Sequence, residues 1–237
     1  MSEPAAAIAD RGSINDWSVN GAAPQPPTCN PAGARYIILS EGRYMTQVLN
    51  DTAGKLVAGA ADLIMRGGYN SFSYADLAER FGIRKASIHY HFPSKVDLVV
   101  AAVEQARSAI QAQIATLESD TPVALDQLLM YTGYWERCIK DQTAPFCLAA
   151  VLAADLPSLP EQVAVAVRGH FVDLTTWLER VLALGVKQGA FALEASPTVE
   201  AEIFMAAVYG AMLVARAYDD PQRFTVIVEA SIKRIRG

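Results

Sequence analysis

Residues 71–95 read SFSYADLAERFGIRKASIHYHFPSK, and this run decides the fold. Leu77, Ala78 and Phe81 recur on one side of a helix that Ser73 can cap, with Asp76 three residues on as a short-armed capping box. Gly82 supplies the turn, and a short helix follows from about Arg84 to Tyr90. Leu77, Phe81, Ile83 and Ile88 can form the small apolar core that two such helices need. Lys85, Ser87, His89 and the neighbouring polar groups are left to face outward. The layout is that of a helix-turn-helix, and a helix presenting donors suits the major groove, where base edges carry a distinguishable pattern. Ser73 and Tyr74 open the second helix, where backbone N–H groups can meet a phosphate. Lys95 opens the fourth helix, within reach of another phosphate.

Working outward, everything from Asp51 reads helical. Leu56, Ala60, Leu63 and Ile64 recur at helical spacing, and Gly67-Gly68 ends that first helix. Ser94 caps a fourth helix to about Leu117. Thr121-Pro122 opens a fifth to about Lys140, with Pro at its first position. Phe146 to Ala154 predicts a short apolar helix, and Pro157 and Pro160 break the chain after it. The next helix spans about Glu161 to Lys187, with a kink near Gly169. Ser196-Pro197 opens another to about Tyr218, and Asp220-Pro221 opens the last, whose Lys233, Arg234 and Arg236 suit a helix C-terminus. No strand-period segment of useful length and no internal repeat occurs.

Residues 1–44 hold Pro4, Pro24, Pro26, Pro27 and Pro31 with little periodicity, and are expected to be a mostly disordered extension. Ile37, Ile38 and Leu39 form a short apolar patch within it. Met45, just ahead of the folded pattern, is a candidate start of translation. The expected organisation is all-α: a three-helix helix-turn-helix domain over 45–98, then a helical effector-binding and dimerisation domain over 99–237.

Composition agrees with a well-buried protein: 52% of the 237 residues are hydrophobic and 19% charged. No uninterrupted apolar run approaches the roughly 18 residues of a membrane span, and no secretory signal is visible. Cys29, Cys138 and Cys147 form no CxxC pair and no disulfide framework, which points to a reducing, cytoplasmic setting. A net charge of −5 is unusual for a DNA binder. Over 45–100, however, six cations face five carboxylates, so the acidity lies elsewhere. It lowers non-specific affinity without removing salt-sensitive phosphate contacts. There is no metal-spaced His/Cys/Glu cluster, no phosphate-cradling Gly loop and no Ser/His/Asp set that spacing commends, so neither an enzyme nor a cofactor is expected. His170 reads as an isolated packed or surface histidine.

Residues 52–98 resemble the DNA-binding domain of TetR-family transcriptional regulators. The resemblance rests on Gly68-Tyr69, Phe72-Ser73, Asp76-Leu77-Ala78, Phe81-Gly82-Ile83, Ala86-Ser87-Ile88, His91-Phe92, Ser94-Lys95 and Leu98, spaced without gaps. Two positions depart from the family. Arg84 stands where a Ser or Thr cap is usual, and His89 where Tyr is usual; position 89 can pack, contact phosphate or read a base. Carried over by position, Lys85, Ser87 and Tyr90 look like groove contacts, and Ser73, His91 and Lys95 like phosphate contacts. The resemblance implies a repressor of double-stranded DNA that answers to a small molecule and works as a homodimer.

Ala206, Ala207, Gly210 and Ala211 form a small-residue surface on the penultimate helix, with Val208, Met212 and Leu213 adding apolar bulk. In the family, the last two helices of each subunit form a four-helix bundle. The alternative is that these residues face their own domain's core. Candidates for lining an effector pocket are Tyr131, Trp135, Phe146, Phe171, Trp177, Phe204 and Tyr209, although aromatic residues at helical spacing are commonly plain core. The segment Pro145 to Ala150 is similar to a subgroup of such repressors that sense electrophiles or oxidants through a cysteine at this helix start. A thiol at a helix N-terminus has a lowered pKa. Cys147 is therefore a candidate sensor, with a packed core cysteine as the plainer option. A Cys138–Cys147 bridge is a further option that sequence leaves open.

Overall fold

The computed structural model describes residues 51–144 and 146–237; the expectations for 1–44 and for Met45 lie outside the described residues. Those residues form nine α-helices and no strand. The first four are α1 (Asp51–Gly67), α2 (Tyr74–Phe81), α3 (Lys85–His91) and α4 (Lys95–Asp120). Then come α5 (Ala124–Lys140), α6 (Leu148–Ala154), α7 (Glu161–Lys187), α8 (Pro197–Tyr218) and α9 (Gln222–Arg236). Single 3-10 turns occupy Tyr69–Ser71 and Leu156–Ser158.

Both expected caps form. The Ser73 side chain accepts from the start of α2 while Asp76 accepts from the Ser73 backbone, and Ser94 with Asp97 does the same for α4. Each such cap contributes about 1 kcal/mol. Gly82 ends α2 in the left-handed conformation (φ 63°), where a side chain would be strained. Arg84 is an N-cap without a side-chain bond, so α3 starts one residue late, at Lys85.

Two further helix starts differ from expectation. Pro122 is not the first residue of α5, because Thr121 still closes α4 and Val123 is extended. The Gln188 side chain bridges the gap: its amide accepts from Ala124 N–H at 2.9 Å and donates to the Pro122 carbonyl at 2.7 Å. The α6 helix begins at Leu148 rather than Phe146, with Cys147 as its N-cap. Gly169 sits inside one continuous α7, and its lack of a side chain admits Arg107 of α4, whose guanidinium lies 2.6 Å from where a Cβ would stand. Arg107 there bonds Asp173 at 2.8 Å, tying α4 to α7.

The buried residues form two clusters. One joins α1 to α3 with the first half of α4 and includes Leu56, Ile64, Leu77, Ile88, Leu98 and Val103. The other lies among α5, α7, α8 and α9 around Leu128, Trp177, Leu178, Phe204 and Phe224. The α6 helix belongs to both: Leu148 and Leu152 pack into the first, Cys147 and Ala149 into the second. The α4 helix runs through residue 98 without a break.

Among the described residues one helix, α8, is long and apolar enough to cross a membrane by length and composition. Its packing accounts for that composition. One side, including Phe204, Val208, Ala211 and Met212, is buried against the chain's own core. The other side exposes Val199, Ile203 and Leu213.

Candidate nucleic-acid interface and interior cluster

The outer face of α3 is built from residues that the fold leaves unburied. Arg84, Lys85, Ser87, His89 and Tyr90 are exposed, with Tyr90 at 84% of its full accessibility, while Ile88 on the inner side is sealed. Tyr90 thus adds nothing to the buried packing of the helix pair and stands free on the outer face of α3. The Tyr90 ring meets His91 edge-on at 5.1 Å. His91 itself is half-buried.

Three neighbours are more occupied than the sequence suggests. The Tyr74 hydroxyl lies 2.6 Å from the Ser94 carbonyl and 2.9 Å from that of Phe92, and so clasps the link between α3 and α4. Burial, then Asp97 nearby, pushes its pKa up to about 12, so the clasp stays protonated. What Tyr74 has free for a phosphate is its place at the start of α2. Lys95 donates to the Phe72 carbonyl at 2.6 Å and lies over the rings of Phe72 and Tyr69, at 4.4 and 4.6 Å from their centres. It is half-buried, and that burial lowers its pKa. His89 Nδ1 is 3.1 Å from the Pro93 carbonyl, where in the neutral ring it donates, and the ring packs against Tyr74. That bond leaves Nε2 as the outward nitrogen. Ser73 is exposed, with its hydroxyl used in the α2 cap. Tyr74→Phe is expected to cost about 1 kcal/mol and to loosen α3, seen as faster amide exchange in Phe92–Lys95.

Inside the C-terminal half, the structure brings together groups far apart in sequence. Cys147 Sγ lies 3.7 Å from His170 Nε2 and 3.7 Å from the Tyr209 hydroxyl, and the last two are 2.8 Å apart. Cys147 is a free thiol, which excludes a Cys138–Cys147 bridge. Burial alone would push the Cys147 thiol up, but the imidazole charge and hydrogen bond of His170 outweigh it and leave the thiol below its ordinary value. Burial likewise opposes protonation of His170, and Cys147 overcomes it in the upward direction. Tyr209 is raised well above its ordinary value, by burial first. Each group of the pair thus favours the charged form of the other across 3.7 Å.

Of the other aromatic candidates, Phe171 packs on both His170 and Tyr209, and Tyr131 meets Trp177 edge-on at 5.2 Å. Trp135 is buried beside Tyr134. Phe146 and Phe204 belong to the same buried cluster; Phe146 also lies under the Arg216 guanidinium, and Phe204 is deep core. His170 reads from sequence as isolated because its contact with Cys147 is tertiary, across 23 positions. The signal available was its place in the series His170, Leu174, Trp177, Val181, a polar residue on the otherwise apolar inner face of α7. Tyr134 escaped notice in the same way; burial, then Cys147, raises its pKa.

Arg216 and Asp155 link the two halves. Arg216 donates to the carbonyls of Met65 and Arg66 at 3.3 and 3.2 Å, satisfying acceptors that the end of α1 leaves open. Asp155, the C-cap of α6, accepts from Tyr69 N–H at 3.3 Å beside Gly68, whose φ is 82°.

This arrangement agrees with known proteins. Residues 56–102 match the family described as bacterial regulatory proteins, tetR family, and residues 124–231 match the tetracyclin repressor-like C-terminal domain. A solved TetR-family transcriptional regulator from Agrobacterium tumefaciens is 50% identical; the likeness covers 78% of this chain and 97% of that one, with a TM-score of 0.76. The chain belongs to the TetR family. A TetR transcriptional regulator from Legionella pneumophila is 27% identical with a TM-score of 0.71, covering 79% of this chain and 99% of that one. The HTH-type transcriptional regulator CymR of Pseudomonas putida is 28% identical over 144 residues, 58% of this chain and 69% of CymR. As a TetR-family member the protein is a DNA-binding transcriptional regulator, and its relatives are regulators rather than enzymes. The α2–α3 pair is the helix-turn-helix of that family, and α5 to α8 with the first part of α9 lie within the stretch that matches its C-terminal domain.

Proposed function

We propose that the protein is a homodimeric repressor that leaves a palindromic operator when a small molecule enters its C-terminal domain. The observation that carries the reading is the α3 face, with Lys85, Ser87 and Tyr90 outward on a helix clamped by two capped neighbours. These three would read base edges. Arg84, His89, His91, Ser73 and the start of α2 would meet phosphates, and Lys95 would reach one only by leaving its cage of Phe72 and Tyr69.

A single head makes too few contacts for a unique site, and two heads set half-sites about one helical turn apart. Support for a dimer comes from the outer face of α8. Val199, Ile203, Ala206, Gly210, Leu213 and Ala217 form an exposed stripe at spacings of three and four, with exposed Val226 on neighbouring α9. Ala211 leaves the set expected from sequence. One step round the helix from Gly210, it is fully buried in the chain's own core, and Ala207 is half-buried. Leu213→Lys is expected to yield monomers in analytical ultracentrifugation while keeping the helical spectrum. Dimers of unchanged strength would remove this interface.

Selection of DNA from a random pool tests the whole reading. The expected product is one palindromic site bound in a salt-sensitive manner, found upstream of the protein's own or a neighbouring gene. No preference over random DNA at moderate salt would sink it.

A second reading rests on the Cys147–His170–Tyr209 contacts: the switch is chemical modification of Cys147 by an electrophile or oxidant. As N-cap of α6, Cys147 lies one end of a short helix away from Asp155 and its bond to Tyr69. A bulky group on the sulfur would push α6 against the first core and move α1. Cys147→Ser is expected to stay on DNA under treatment with an alkylating agent that releases wild type; equal release of both removes this reading.

A further inference from the structure

Three buried side-chain atoms among the described residues lack a hydrogen-bond partner: Gln127 Oε1, Tyr131 Oη and Trp177 Nε1. Native interiors leave few such atoms, because each one unmet costs about 1–3 kcal/mol. All three belong to the packed pair α5 and α7. Gln127 and Tyr131 stand one turn apart on the same face of α5, and Tyr131 meets the Trp177 ring at 5.2 Å. Burial, foremost, raises the Tyr131 pKa; the Trp135 N–H acts the other way but does not meet the hydroxyl at hydrogen-bond geometry.

Neighbouring polar groups have nothing to spare. Cys147, His170 and Tyr209 satisfy one another, and the Gln127 amide nitrogen is committed to the Thr121 carbonyl at 2.7 Å. The apolar cluster that holds Trp177 and packs against Tyr131 also includes Leu128, Trp135, Leu178 and Val181, all buried. Tyr131 is half-buried as a residue although its hydroxyl is sealed, so its ring reaches from the unpaired atoms towards the surface.

We propose that Gln127, Tyr131 and Trp177 form the polar end of the effector site, built for an uncharged, largely apolar molecule whose hydroxyl both accepts and donates a hydrogen bond. Trp177 Nε1 can only donate and Gln127 Oε1 can only accept, while Tyr131 Oη does either. A hydroxyl on an aromatic or aliphatic body meets a donor and an acceptor at once. A carbonyl or ether answers only the donors. The ligand is neutral because none of the three unmet atoms carries a charge, and the nearby His170 Nε2 is already engaged with Tyr209 at 2.8 Å and Cys147 at 3.7 Å. This inference rests on the effector reading above, since it names the ligand class of that domain.

The test compares p-cresol, 4-methylanisole and p-xylene, three bodies of similar size that carry donor and acceptor, acceptor alone, or neither. Binding is read by tryptophan fluorescence and calorimetry on the full chain. p-Cresol is expected to bind at least tenfold more tightly than p-xylene, with 4-methylanisole between them. Tyr131→Phe, which removes one hydroxyl and keeps the ring, is expected to weaken p-cresol severalfold and leave p-xylene unchanged. Equal binding of p-cresol and p-xylene, binding of none, or a Tyr131→Phe loss shared by both overturns the proposal. Operator release is scored separately. If p-cresol binds in the expected order but leaves the protein on DNA, the subsite stands and the effector reading fails.

Discussion

Replacing Lys85 or Tyr90 with alanine is expected to abolish operator selectivity while leaving the fold intact. Each residue is exposed on α3 and contributes nothing to the first core, so thermal stability should move little. A base-edge contact carries about 1–3 kcal/mol of discrimination. In a dimer every substitution occurs twice, so the loss at a palindrome is roughly 2–6 kcal/mol, from about thirtyfold to more than ten-thousandfold. Titration of operator and scrambled DNA by fluorescence anisotropy measures it. Operator affinity should fall towards the scrambled value, and scrambled binding should change little for Tyr90→Ala. An unchanged ratio of the two affinities would place sequence reading on another element.

Arg234→Met is expected to be a costly change to stability outside the two cores. Glu200, in the first turn of α8, is 1% exposed, and its carboxylate is held by the Arg234 guanidinium of α9. Removing the cation leaves the Glu200 carboxylate to the Ala195 N–H and to water admitted where the part-exposed Arg234 stood, a loss of about 1–3 kcal/mol. Denaturant titration should show it, and Glu200→Met in the same chain should recover most of it, because two apolar residues can pack where the ion pair stood. No recovery in the double variant would mean that the cost lies in lost packing of the Arg234 stem. The Arg234 hydrogen bond, foremost, holds the Glu200 carboxyl below its ordinary value. A depressed carboxylate stabilises the fold fully above its unfolded pKa and loses that contribution as pH falls through the folded one. Wild type should therefore lose stability on acidification below about pH 4.5 more steeply than Glu200→Met/Arg234→Met.

The helix-turn-helix was legible from sequence because its determinants are local. Ser73, Asp76, Gly82, Ser94 and Asp97 act within a few residues of where they stand, and the structure uses each as spacing suggests. The start of α5 was not, because its cap is Gln188, more than sixty residues away on another helix. The interior cluster was half legible for the same reason. Tyr131, Phe171, Trp177 and Cys147 advertise themselves by type, but nothing local says that His170 meets the thiol while Phe146 turns to Arg216. A place at a helix start marked Lys95 and Tyr74 for DNA. Their tertiary partners, the Phe72 carbonyl and the Ser94 carbonyl, show that both also hold the head together.

The double membership of α6 bears on how this chain could be recombined. A reading head cut at residue 98 would leave behind Leu148, Leu152, Val163 and Val167, which complete its apolar core from later in the chain. Grafted onto a foreign sensor, such a head would meet surfaces never shaped for it. A graft whose boundary lies within α4, with α6 and the first turns of α7 carried along, keeps those partners together. The modules that trade places in this architecture are therefore contact sets rather than stretches of sequence, and a helix of seven residues decides where the seam can fall.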